Sequence, residues 1–207
     1  MDGIYLVVSA IIGASATIAS VIISKRAKKT IQRDPILSET QNNENIYAAL
    51  DFLMTGMGAD RAYILQFHNG GYYVSGRSQQ KFSCTHEIAQ PGISKECEFS
   101  QNHIVSNFHS YVSELTNEGK FAYVDFEKVD DKLFAAMMHN KGIKSIYNVP
   151  VKTLNGQVIG ILGVDYIKEC AKDSKIGFCS KEQKESFSKE TNEFMRRQAR
   201  IISGYLV

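Results

Sequence analysis

Hydrophobic positions follow three rhythms along this chain, and each predicts a different kind of element. The first is an unbroken run: Ile4 to Ser24, 21 residues, carries no charged side chain and is closed off by Lys25, Arg26, Lys28 and Lys29. A helix of that length spans roughly 30 Å at about 1.5 Å per residue, the thickness of a bilayer's hydrocarbon core. Residues 1–29 therefore predict one transmembrane helix with a basic flank. Because basic residues favour the cytoplasmic side, a single-pass protein of the inner or plasma membrane with a cytoplasmic C-terminal domain is expected. A cleaved signal peptide would carry its basic residues before the apolar core, and here they follow it. Ser9, Gly13, Ala16 and Ser20 share one face of the span, where small residues let two backbones approach; a homodimer contact and the ordinary abundance of small residues in such helices both account for them.

The other two rhythms alternate through the rest of the chain. Residues 30–43 are polar, contain Pro35 and read as a linker to a domain over 44–207. Asn45 to Met57 sets Ile46, Ala49, Leu50, Leu53, Met54 and Met57 at helical spacing. Arg61 to His68 reads as a strand, Asn69-Gly70-Gly71 as a hairpin turn, and Tyr72 as the start of the return. In Lys81–Ile88 the residues Phe82, Cys84, His86 and Ile88 are expected on one face of a strand. A helix follows over Asn102–Thr116, a short strand over Phe121–Phe126, and a helix over Asp130–Asn140 capped by Gly142. Ile143–Lys152 and Gln157–Ile167 form two apolar strands around the Asn155-Gly156 turn, and Ser180 with Gln183 makes a capping box for a long last helix.

Charge narrows the function classes. The whole chain has 24 basic and 22 acidic residues, a net +2; taking away the four basic and one acidic residue of 1–29 leaves 20 against 21, a net −1. A neutral domain lacks the basic balance of a nucleic-acid binder, so no nucleic acid is expected. The 164 residues of 44–207 suffice for one core. Cys84, Cys97, Cys170 and Cys179 show no C-x-x-C pairing, and a cytosolic placement predicts free thiols.

The C-terminal half carries a resemblance. It contains Lys141-Gly142-Ile143-Lys144-Ser145, Val149-Pro150-Val151, Asn155-Gly156, Val158-Ile159-Gly160-Ile161-Leu162-Gly163-Val164, and Phe178-Cys179-Ser180-Lys181-Glu182. Over about 75 residues this resembles the GAF domain family, whose members run "GI-x-S … VP(V/L) … dG-x-(V/L)-G-(V/I)-L … F-(T/S)-x-E". The N-terminal half agrees in element order. The resemblance implies an α+β fold, a sheet of about six mostly antiparallel strands with helices on both faces, here behind one transmembrane helix. Gly160 and Gly163, inside a strand, predict a close approach by a helix or a ligand, with helix packing favoured.

Candidate chemistry is sparse. Cys84, His86, Cys97 and His103 are metal-ligating types, but C-x-H followed by C-x5-H matches no common zinc spacing, and no metal is expected. No phosphate-binding Gly loop, nucleophile elbow or kinase signature is present, so catalysis is not expected. A minority of the resembled family reduce methionine sulfoxide with cavity cysteines, a role open to Cys84 and Cys97. The polar and aromatic residues Gln66, His68, Asn69, Tyr72, Tyr73, Cys84, His86, Tyr147, Asn148 and Asp165 are the candidate pocket for a small ligand of unknown identity; turn chemistry at Asn69 and satisfied core tyrosines explain part of the same set. The expected function is a membrane-anchored sensory or regulatory module that binds a small molecule or partner protein and signals through dimer contacts, the chain ending directly after its last domain helix. A ligand-free scaffold of viral or mobile-element origin is the alternative.

Overall fold

A computed structural model describes residues 34–123, 126–167 and 183–207 together with Ile18 and Ser20, with residues 127 and 183–188 in backbone only. Apart from Ile18 and Ser20, the predicted span, with its Ser9, Gly13 and Ala16, lies outside these residues, as do the basic flank, the Ser180 cap, Cys170 and Cys179. Among the described residues no helix is long and apolar enough to cross a membrane.

The chain divides into two compact units, Met1–Gln41 and Asn42–Val207. In the first, a helix begins ten residues earlier than its apolar spacing predicts: α1 runs Pro35–Met57. Asp34 starts it, accepting from the Ile36 amide at 2.9 Å, and Pro35 occupies the first helical position, where its missing N–H costs nothing. Pro35 thus opens a helix rather than breaking a linker.

In the second unit, six strands form one sheet, β1 (Arg61–Tyr72), β2 (Ser78–Ala89), β3 (His103–Ile104), β4 (Phe121–Tyr123), β5 (Ser145–Lys152) and β6 (Val158–Tyr166), in the order β3-β2-β1-β6-β5-β4. Every pairing is antiparallel. The remaining helices are α2 (His109–Glu118), α3 (Lys132–Asn140) and α4 (Gln183–Leu206).

Period-two alternation sends the strands' apolar residues to two faces, and each face has its own core. Ala62, Ile64, Val149, Val151, Leu162 and Val164 meet Leu50 and Leu53 of α1 and Met195 and Ile202 of α4. Tyr63, Leu65, Ile146 and Ile161 meet Tyr111 and Leu115 of α2 and Phe134 and Met138 of α3 on the other face. Helices therefore cover both faces, as the resemblance implies.

Three predicted elements differ. Asn69-Gly70-Gly71 is not the turn, and Tyr72 does not begin the return strand; β1 runs on through them and the chain reverses over Tyr73–Arg77. The pairing slips between Asn69 and Tyr72, and Gly71 takes φ 123°, so the glycines form a bulge. The predicted Asn102–Thr116 helix is split: His103–Ile104 pairs with β2, Val105–Phe108 is one 3-10 turn, and the α-helix starts only at His109. The predicted Phe121–Phe126 strand is confined to Phe121–Tyr123, followed by a 3-10 turn at Phe126–Lys128.

The other slip in the β1–β2 pairing matters most for the site. Ile64 pairs with His86, but Leu65 pairs with Cys84, leaving Thr85 as an extra residue on β2. One extra residue exchanges the faces of everything beyond it. Phe82 and Cys84 join the α2/α3 core, whereas His86 lies under α1, its Nε2 3.0 Å from Asn43 Oδ1 and its ring against Tyr47. The expectation that Cys84 and His86 share a face is overturned.

Candidate functional site

Between the sheet and helices α2 and α3 lies a buried chamber of about 40 Å³. Its apolar wall comes from Leu65, Phe82, Ile146, Phe134, Met137 and Met138. A line of hydrogen bonds crosses it: Tyr63 Oη donates to Asn148 Oδ1 at 2.9 Å, and Asn148 Nδ2 donates to Tyr111 Oη at 2.7 Å. Tyr111 is held by a stacked Phe134 at 4.3 Å and an edge-on Phe121 at 4.7 Å. Burial pushes the phenols of Tyr63 and Tyr111 well above their ordinary range, so both are neutral, Tyr63 as donor and Tyr111 as acceptor.

A charged group closes one end. Arg61, fully buried at the start of β1, donates from Nε to Asp165 Oδ1 at 2.9 Å and from Nη1 to the Ser94 carbonyl at 3.1 Å. Its Nη2 has no hydrogen-bond partner among the described residues. Glu87, turned toward the chamber by the Thr85 bulge, accepts from the Glu96 and Cys97 amides, both at 2.8 Å. Lys141, just past α3, donates to Ser100 Oγ and stands 3.9 Å from Glu96 Oε2. These contacts tie the connection between β2 and β3 across the chamber. Burial pushes the Asp165 carboxyl up to about 6 even though Arg61 pulls it down, and burial lowers Lys141. His103 also lines the chamber; burial and the nearby Lys141 lower its pKa, and its Nε2 lacks a hydrogen-bond partner among the described residues.

Of the ten residues predicted for a pocket, Cys84, Asn148 and Asp165 line this chamber. His86 and Tyr147 belong to the opposite face, packed with α1 and the core beneath it. Gln66 and His68 are half-buried farther along β1, His68 Nε2 lying 2.8 Å from Ser83 Oγ. Asn69, Tyr72 and Tyr73 are exposed, and Asn69 Oδ1 serves the bulge by accepting from the Gly71 amide and Ser78 Oγ. Tyr63, Arg61, Glu87, Glu96, Tyr111 and Lys141 were missed. A sequence signal existed for one of them: Arg61, like the predicted Asp165, is a charge at the end of a strand, and the β1–β6 register makes the two direct partners.

Gly160 and Gly163 do not make room for a helix. A side chain at Gly160 would run into the Leu65 carbonyl of β1, and one at Gly163 into Asn148 Oδ1 and the Tyr63 ring. Gly163 thus permits the Tyr63–Asn148 hydrogen bond. Gly163→Ala is expected to lower stability by about 1–3 kcal/mol, the range for forced overpacking, read as a shift of the urea midpoint at unchanged slope.

Among the described residues no His, Cys, Asp and Glu group could hold a metal ion. Cys84 and Cys97 are free, Cys97 Sγ donating to the Cys84 carbonyl at 3.3 Å. Burial pushes the Cys84 thiol up, which opposes the thiolate a nucleophile needs.

No protein-family model matches the chain, and no curated protein matches it either. Solved structures do. The blue-light absorbing form of the Thermosynechococcus elongatus PixJ GAF domain is 13% identical over 82% of this chain and 91% of its own, with a TM-score of 0.53. The GAF domain/HD domain protein from Geobacter sulfurreducens is 12% identical over 81% and 95%, TM-score 0.51. The chromophore-binding domain of a bacteriophytochrome from R. palustris is 10% identical over 83% of this chain and 59% of its own, TM-score 0.52.

Proposed function

We propose that the chain, whose fold over the described residues is that of GAF domains, a six-stranded antiparallel sheet flanked by helices, is a sensory or regulatory module held at the inner or plasma membrane by residues 4–24, with its domain in the cytoplasm and its chamber as the site of a small molecule. The supporting observation is the convergence of Tyr63, Asn148 and Tyr111 with the ionisable Glu87, Asp165 and Lys141 on a chamber with an apolar wall, the mixture that small-molecule sites show. The PixJ and bacteriophytochrome domains named above absorb light or bind a chromophore. A chamber of about 40 Å³ is far below the several hundred Å³ of a drug-sized site. The ligand is therefore a molecule of a few heavy atoms, or a larger one that displaces the Glu87-anchored connection.

A ligand-free scaffold has one observation in its favour: Asn148 is already satisfied by the two tyrosines. Thermal unfolding of the full chain in lipid nanodiscs, with nucleotides, amino acids and small carboxylates added in turn, separates the readings. A ligand at about 100 times its Kd raises stability by about 2.7 kcal/mol, and Asn148→Leu abolishes that gain. A flat response to every class supports the scaffold.

Signal leaves, in this proposal, through a homodimer built on α1 and α4. Phe52 of α1 is 60% exposed beside Phe194 of α4, ring centroids 5.8 Å apart, and Ile201 is 42% exposed. Phe52→Asp with Ile201→Asp is expected to turn crosslinked dimers into monomers without loss of domain stability; a wild-type chain already monomeric in membranes sinks the dimer.

A further inference from the structure

Large apolar side chains are exposed at one end of the second unit, on two separate hairpins. Because Arg61 pairs with Asp165 and Gln66 with Gly160, the β1–β2 turn and the β5–β6 turn project from the same end of the sheet. The first presents Tyr72, Tyr73 and Val74, the last with no cover at all; the second presents Leu154, equally bare. These tips are ordered. Tyr73 and Arg77 are joined by an amide-to-carbonyl bond at 2.9 Å, and the Arg77 guanidinium sits 5.2 Å over the Tyr73 ring.

Charge on the two hairpins has one sign. Residues 69–81 and 152–158 contain Arg77, Lys81 and Lys152 and no acidic residue.

We propose that the two hairpin tips form a second membrane contact, with Tyr72, Tyr73, Val74 and Leu154 seated in the headgroup layer of an anionic leaflet and Arg77, Lys81 and Lys152 against its phosphates. Tyrosine favours that interface because its ring is apolar and its hydroxyl wet, and basic residues gain from the negative surface potential. A protein partner would be expected to offer acids to this end, whereas an anionic leaflet supplies both the negative charge and the apolar layer that these tips match. The inference rests on the membrane anchor proposed above, since one weak contact needs a tether to hold it near the surface.

The chain has no tryptophan, so a single introduced one reports its own surroundings. Val74→Trp and Lys95→Trp place it at a hairpin tip and in the exposed connection at the opposite end. Full-length variants would be reconstituted in vesicles of phosphatidylcholine and phosphatidylglycerol carrying a nitroxide near the headgroups. Expected are a blue-shifted emission and strong quenching for Val74→Trp, neither for Lys95→Trp, and roughly a fivefold loss of the docked fraction on adding Arg77→Gln, the factor for one basic residue at an anionic surface. Chain that floats with the vesicles while both reporters stay equally water-exposed overturns the hairpin contact and leaves the anchor standing. Chain that does not float overturns both. Quenching unaffected by Arg77→Gln together with Lys81→Gln and Lys152→Gln overturns the electrostatic half.

Discussion

Asp165→Ala is expected to destabilise the domain by about 3–5 kcal/mol, the range for breaking a buried ion pair by removing one partner. The reason is the residue left behind. Arg61 is fully buried and, among the described residues, already has one nitrogen without a partner and would keep only the Ser94 carbonyl and a 3.6 Å approach to Glu96. Replacing the pair together, as Arg61→Met with Asp165→Leu, is expected to recover much of the loss, because two apolar groups of similar volume carry no desolvation cost. Equilibrium urea unfolding of the two variants and wild type gives the comparison directly; a loss below about 1 kcal/mol in the single variant would mean that water reaches Arg61 and that this end of the chamber is open.

Leu53→Ala is expected to cost about 2–5 kcal/mol, and Phe52→Ala, one residue away, less than about 1 kcal/mol. Leu53 is fully buried between α1 and the sheet, while Phe52 points outward. The contrast tests the rotation of α1 on the sheet. Equal costs would place α1 with a different face inward. For a domain of this size the Leu53→Ala loss corresponds to a fall of several degrees in Tm, about 2–4 °C per kcal/mol.

Much of the fold was legible because its signals are local. The spacing of Ile46, Leu50, Leu53 and Met57 marks a helix whatever surrounds it, and Val158–Val164 around the Asn155-Gly156 turn marks a hairpin. The site was less legible, for three physical reasons. Bulges leave no mark in hydrophobic alternation: Phe82, Cys84, His86 and Ile88 read as one face, and the extra Thr85 divides them while turning Glu87 inward. Asn-Gly-Gly serves a bulge as readily as a turn, since both need a residue at positive φ, and the actual reversal at Tyr73–Arg77 looks less like a turn than the sequence before it. Tyr111 and Lys141 reach the chamber from α2 and from beyond α3, and which side chain of a helix arrives at a sheet depends on packing that no local pattern records. Asn148 and Asp165, both among the residues predicted for a pocket, do line the chamber, and each has the buried partner that a polar residue inside an apolar strand needs.

The account depends most on the chamber being a ligand site. Native mass spectrometry of the full chain released from lipid nanodiscs tests it directly: a small molecule of defined mass bound to the wild-type chain, absent from Asn148→Leu and restored by adding the molecule back to wild type alone, is the predicted result. Bare polypeptide in both, with no metabolite class shifting the wild-type melting curve, would contradict it and leave a ligand-free scaffold.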